Sequence, residues 1–275
     1  MSEFIVIVES VADARTATQL AERLLEDRIE WLDRENIQYM FCWSGLEENN
    51  RQNKDYGNVN HSCWKDIETI IETSRDSLAY KPPRFLGFSK GNKPFKADGA
   101  RAMKCLNLIR FYQKHRQIKA VLFIRDLDNQ KERREGLEQA RLEHRHREPQ
   151  LEIIIGAANP KREAWVLNGF IPDCPEEERI LEEIKTQLGF DPCLESHRLR
   201  STSQQEPDRV RNPKVIVEKL TGGDLDREQD SWETTSLAIL RERGLHTGLT
   251  DYLNEVEERL VPLIGSSEQS IELNK

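Results

Sequence analysis

Long apolar runs are missing from this chain. None approaches the roughly 18 residues that a membrane-spanning helix needs, which argues against a helical membrane protein. The first apolar stretch, Phe4–Val8, is short and is cut off by Glu9, so no secretory signal peptide is expected. Cysteine is scarce: there are five, an odd number, with no Cys-x-x-Cys pair. That argues against a disulfide framework and makes the reducing cytosol the expected compartment. Cys174 and Cys193 stand 19 residues apart, and with His144 and His146 they do not make a structural zinc pattern. Phosphate-cradling glycine loops are also missing: Gly91 and Gly222-Gly223 fit neither a Walker loop nor a dinucleotide fingerprint, so the chain alone is not expected to bind ATP. There is no surplus of positive charge. Lys and Arg total 41 against 49 Asp and Glu, a net charge of −8, which disfavours indiscriminate binding to nucleic acid.

What is present is a 275-residue chain, 37% hydrophobic and 33% charged, with a mean hydropathy of −0.73. It is polar, yet long enough to bury a core as one large domain or two small ones. No internal repeat or low-complexity tract is seen. Phe4-Ile5-Val6-Ile7-Val8 suits a strand buried on both faces, as in a parallel sheet. Ser10 and Asp13 are candidate helix caps, followed by the helical stripe Ala17, Leu20, Ala21, Leu24 and Trp31. Gln38–Ser44 reads as a second strand. From Leu46 to about Ala97 the chain changes character, with asparagines crowded at 49–60 and prolines and glycines later. This reads as an insertion holding one helix around Trp64–Ser74.

A helix over about Asp98–Lys114 leads to Ile118–Ile124, the clearest buried strand, which ends in Arg125-Asp126-Leu127-Asp128. A charged helix (about Lys131–Arg147), a strand (Leu151–Ile155, closed by Gly156) and helices at Arg162–Phe170 and Glu176–Leu188 follow. Cys193–Asn212 reads as a polar loop. Helices are then expected at Lys214–Leu220, Trp232–Arg243 and Leu249–Ile264, with a frayed tail after Gly265. The strand–helix alternation is that of an α/β fold, a mostly parallel sheet flanked by helices.

In open α/β sheets, ligands bind at the carboxyl ends of strands. Glu9 closes the first expected strand, and Asp126 and Asp128 close the third. In an extended segment, alternation puts Asp126 and Asp128 on one side with Leu127 facing away. Three carboxylates gathered there would make a hard-oxygen site suited to Mg²⁺ with retained waters, because clustered carboxylates repel unless a cation compensates them. The competing account of each acid is a strand-terminating turn or a helix cap.

This pattern resembles the Toprim family, the metal-binding catalytic domain of topoisomerases, primases and overcoming-lysogenization-defect nucleases. The resemblance rests on Val6-Ile7-Val8-Glu9 and Asp126-Leu127-Asp128. It is similar, more narrowly, to compact bacterial Toprim-like proteins often encoded beside ATPases in defence loci. Glu163-Ala164-Trp165 and Pro213-Lys214 match their later motifs. The family usually has Gly after its Glu, where this chain has Ser10. The likeness spans roughly Phe4–Leu220.

The resemblance implies a Toprim-like (Rossmann-like) catalytic domain over 1–220 with an insertion at about 46–97, and a helical extension over 221–275 packed on it. It implies a Mg²⁺- or Mn²⁺-dependent nuclease cleaving DNA or RNA, the effector of an antiviral defence system with an ATPase partner. Glu9 would act as acid, base or ligand, Asp126 and Asp128 as ligands, Glu163 as a ligand of a second ion, and Lys214 near the scissile phosphate. Arg198, Arg200, Arg209 and Arg211 lie near the site in the family pattern and are candidates for the nucleic-acid backbone. Two alternatives stay open: a non-catalytic Toprim scaffold that binds a partner ATPase, and a metal-dependent phosphohydrolase on small phosphorylated substrates. A homo-oligomer is compatible with each.

Overall fold

The structure, a computed structural model, describes residues 1–47, 59–84, 87–88 and 93–265. The crowded asparagines at 49–58, Gly91 and the tail beyond Gly265 lie outside the described residues. The chain forms two compact units. The first comprises Met1–Arg125, Gln130–Gly156 and Glu255–Lys275, and the second Asp126–Asn129 and Ala157–Asn254. The boundary expected after Leu220 falls inside the second unit.

In the first unit, β1 (Ser2–Val8) leads through α1 (Val11–Arg28) and α2 (Arg34–Met40) to β2 (Phe41–Ser44). A two-residue strand, β3 (Ser62–Cys63), and a 3₁₀ turn precede α3 (Ile67–Leu78). The chain continues through α4 (Gly99–Tyr112), β4 (Ile118–Asp126), α5 (Glu132–His144) and β5 (Glu152–Ala158). The sheet runs β2-β1-β4-β5, with β3 also on β1. β1 pairs in parallel with β2, β3 and β4. β2 takes Ser2–Ile5 and β3 takes Ile7–Val8, so two short strands share one edge of β1 in tandem.

An α/β fold with a mostly parallel sheet flanked by helices is thus what the chain adopts. Its apolar runs explain why: Phe4–Val8 and Ala120–Ile124 are buried, as a strand covered on both faces requires. α4 and α5 approach closely because glycines face each other there. A Cβ on Gly136 would stand 2.1 Å from the Ala97 carbonyl oxygen. Arg116 closes the opposite end of the sheet, bonding Glu3 (3.1 Å), the Gly45 carbonyl (2.9 Å) and the Leu46 carbonyl (3.0 Å). Burial pushes the Glu3 carboxyl up, but the Arg116 guanidinium outweighs it and holds the group below its ordinary value.

The second unit is built on α6 (Arg162–Gly169), followed by α7 (Pro175–Leu188), α8 (Pro213–Thr221), α9 (Leu225–Glu233), α10 (Leu237–Arg243) and the start of α11 (Leu249–Gly265). Trp165 is buried at its centre, stacked on Tyr252 at 5.2 Å, and its indole N–H donates to the Thr247 carbonyl at 2.9 Å. Asn168, fully buried, donates to the Cys193 carbonyl and Ser196 Oγ and accepts from Thr247 Oγ1. Every arm of that amide is therefore satisfied, as burial demands.

Several expected elements differ. The strand read as Gln38–Ser44 holds only Phe41–Ser44, because Gln38–Met40 complete α2. The single helix Trp232–Arg243 is two. Its break at Thr234–Ser236 is built from hydroxyls: Thr235 donates to the Gly169 carbonyl, and Ser236 caps α10 by accepting from Ile239 N–H. Such side chains compete with helical hydrogen bonding. β4 continues to Asp126 and β5 to Ala158, beyond Gly156. Cys193–Asn212 is irregular apart from two 3₁₀ turns. No helix among the described residues is long and apolar enough to cross a membrane.

Candidate functional site

Glu9 is the first residue past β1, and Ser10 follows it as the N-cap of α1. Ser10 and Asp13 make a reciprocal capping box, Ser10 N–H to Asp13 Oδ2 at 2.8 Å and Asp13 N–H to Ser10 Oγ at 3.4 Å. Ser10 thus has a local task, satisfying orphan amides at the helix start. Glu9 is held between a strand and a capped helix, with its side chain 30% exposed.

The partners of Glu9 in the first unit are arginines. Arg125, next to last in β4, makes an ion pair with Glu9 Oε1. Its Nε donates to Asp98 Oδ2 at 2.8 Å, and its guanidinium lies 5.4 Å from the Trp64 ring centroid. Arg133, at the start of α5, stands 3.9 Å from Glu9 and 3.8 Å from Asp98. Two carboxylates therefore alternate with two guanidiniums, and Arg125 is only 11% exposed. Pairs this far from bulk water are screened less than surface pairs. Asp98 takes part from a left-handed backbone, φ 65°, which aspartate tolerates better than most residues.

The remaining expected residues belong to the second unit. Asp126 Oδ1 accepts from Arg162 N–H at 2.9 Å, which caps α6 from outside, since the helix's own N-cap residue Lys161 makes no side-chain cap bond. Leu127 N–H bonds the Ala158 carbonyl and Asp128 N–H the Pro160 carbonyl, which fixes the segment after β4 along the segment after β5. Asp128 has φ 45° and Asn129 φ 65°, so the simple extended alternation anticipated for Asp126–Asp128 stops at Asp128. Lys161 Nζ lies 3.4 Å from Asp128 Oδ1. Glu163 is 3.6 Å from the buried Arg162, which also pairs with Glu228.

Lys214 is exposed in the first turn of α8, whose Asn212 cap accepts from its N–H at 3.1 Å. Arg198, Arg200, Arg209 and Arg211 are all exposed. Arg198 pairs with Glu195 and lies 4.0 Å over the Phe190 ring, and Arg200 bonds Asn129 through both side chain and carbonyl. Ser201 N–H bonds the Arg211 carbonyl, so the two ends of this basic loop are tied together.

Glu9, Asp126, Asp128 and Glu163 are hard oxygen donors, the ligand type that Mg²⁺ selects, so the donor chemistry fits such an ion. Each also has a protein partner: Arg125, the Arg162 amide, Lys161 and Arg162 respectively. A cation at Glu9 would compete with a guanidinium. Asp173, Cys174 and Glu177 also cluster within metal-holding distance of one another. Arg227 occupies that cluster instead, with two 2.7 Å bonds to Glu177, and its guanidinium holds the Glu177 carboxyl below the ordinary range.

The sequence alone does not show Arg125 and Arg133 as partners of Glu9, nor Asp98 as the second carboxylate that these arginines bind. One signal was available: an arginine inside an otherwise apolar strand needs a buried counter-charge. Comparison with protein-family models, curated proteins and solved structures returned no match.

Proposed function

We propose that this protein is a Mg²⁺- or Mn²⁺-dependent nuclease of Toprim-like design. The supporting observation is topological. β1 and β4 are parallel neighbours, Glu9 directly follows the first, and Asp126 is the last residue of the second. Carboxyl ends of adjacent parallel strands are where α/β sheets hold their ligands. The family likeness, not a measured convergence, makes Glu9, Asp126 and Asp128 ligands of the ion in this reading and Glu163 available to a second. A bound Mg²⁺ would supply charge neutralisation at the attacking and leaving oxygens, an effect of several kcal/mol. Lys214 and the exposed Arg198, Arg200, Arg209 and Arg211 would meet backbone phosphates, which gives an acidic protein a local basic surface. An ATPase partner belongs to the same proposal through the family likeness.

The test is cleavage of plasmid DNA and of transfer RNA with Mg²⁺ or Mn²⁺. Metal-dependent cleavage that Glu9→Gln abolishes, with an unchanged circular dichroism spectrum, is the expected outcome. Cleavage that persists in chelator, or undiminished in Glu9→Gln, refutes it. A second reading, the non-catalytic scaffold that binds a partner ATPase, is favoured by one observation: the carboxylates already have protein counter-charges or amide donors. Titration calorimetry separates the two, since the scaffold takes up no divalent cation.

A further inference from the structure

We propose that Arg125 is a resident counter-cation for Glu9, a positioning residue that must give up its ion pair for a divalent cation to reach that carboxylate. The inference rests on the metal reading above and adds a residue to it. The geometry comes from the first unit alone. Arg125 enters from the penultimate position of β4, level with Glu9 in the β1–β4 ladder, whose last recorded pair is Ile7 with Phe123. Its guanidinium is held from two further directions, by Asp98 at 2.8 Å and by the Trp64 face at 5.4 Å. At 11% exposure it is a fixed cation, unlike a mobile surface arginine. Held in place from these directions, it keeps the Glu9 carboxylate aimed, which is what a ligand needs before an ion arrives.

A guanidinium and a divalent ion compete for the Glu9 carboxylate, because two cations held within a few ångströms repel each other. The two occupants are therefore linked: whatever strengthens one weakens the other by the same factor. Asp98 is what makes exchange feasible. It stays bonded to Arg125 Nε when Glu9 is given up, so the arginine never loses both acids at once. Arg133, 3.9 Å from Glu9 and 3.8 Å from Asp98, stands near enough to balance Asp98 meanwhile.

The experiment titrates Mn²⁺ alone into the full chain by calorimetry and reads affinity, not cleavage. Arg125→Gln is expected to bind Mn²⁺ about tenfold more tightly than the parent, within the usual range of coupling between linked sites. Arg133→Gln removes the same charge from the same cluster without vacating the close ion pair, and should gain no more than about threefold, the scale of a weak pair. Arg125→Lys should stay close to the parent, because it restores a cation there. The gain must vanish in Glu9→Gln/Arg125→Gln. Should Arg125→Gln bind no more tightly than Arg133→Gln, or keep its gain without Glu9, the exchange is refuted while the metal reading stands. If neither the parent nor Arg125→Gln binds Mn²⁺, both fall together. Asp98→Asn guards against a misfolded Arg125 variant: it keeps the left-handed backbone, frees Arg125 for Glu9, and should weaken Mn²⁺ binding. Unchanged or tighter binding there also overturns the exchange.

Discussion

Asp126 offers the sharpest separation of structure from chemistry, because one oxygen has a known structural task. Its Oδ1 accepts from the Arg162 amide at 2.9 Å and so caps α6, a helix whose own N-cap residue contributes no side-chain bond. Asp126→Ala removes the cap, a loss of about 1 kcal/mol. For a chain of this size that lowers Tm by roughly 2–4 °C. Asp126→Asn keeps an acceptor of the same reach and loses only the favourable charge at a helix start, about 0.3–1 kcal/mol. The chemical consequence runs the other way. In the proposed metal site either substitution would strip a hard anionic ligand, and a metal effect of about 4 kcal/mol corresponds to about a thousandfold in rate. Thermal melts and metal-dependent plasmid cleavage on the same preparations read both axes. Asp126→Asn should melt close to the parent and cleave about a thousandfold more slowly, while Asp126→Ala should lose on both counts. An Asp126→Asn protein that keeps more than about a tenth of parental cleavage removes this carboxylate from the site.

Two further predictions concern stability. His144 is buried, and neither ring nitrogen has a hydrogen-bond partner among the described residues. Burial, with Arg147 and Arg110 beside it, pushes its pKa down to about 3. The unfolded state then binds the extra proton first, so stability falls as pH drops from about 6.5 towards 3, by up to about 1.4 kcal/mol per pH unit. Urea midpoints across that range should show the slope, and His144→Phe should flatten it; an identical slope in the variant refutes the assignment. Gly136→Ala forces a methyl to within 2.1 Å of the Ala97 carbonyl oxygen and 2.7 Å of the Gly99 nitrogen. The overpacking should cost about 1–3 kcal/mol in chemical denaturation; a neutral result would mean the helices part more easily than their spacing implies.

Periodic and continuous apolar patterns carried most of the fold. Phe4–Val8 and Ile118–Ile124 are strands because nothing but a two-sided interior accommodates such runs. Leu181, Ile184 and Leu188 are the buried face of α7, as their spacing requires. What stayed illegible depends on contacts distant in sequence. β3 is two residues long and leaves no period to read. The break between α9 and α10 follows from Thr235 finding the Gly169 carbonyl, 66 residues away. Of the candidate site, the acids at strand ends were legible, because their neighbours in sequence are the strands themselves. Their counter-charges were not: Asp98 reaches Arg125 from just beyond the stretch read as an insertion, and Asp126 caps a helix 36 residues later.

The order of strands also sets the order of assembly. β1 precedes its β4 neighbour by more than a hundred residues, with Ile5 meeting Val121 and Ile7 meeting Phe123. Short local strands can shelter one edge early, while the other waits for more than a hundred further residues. Long-range parallel pairing of this kind slows folding and exposes a sticky segment meanwhile. Until β4 arrives Phe4–Val8 has one open edge, and truncations that stop before β4 should be captured as aggregates.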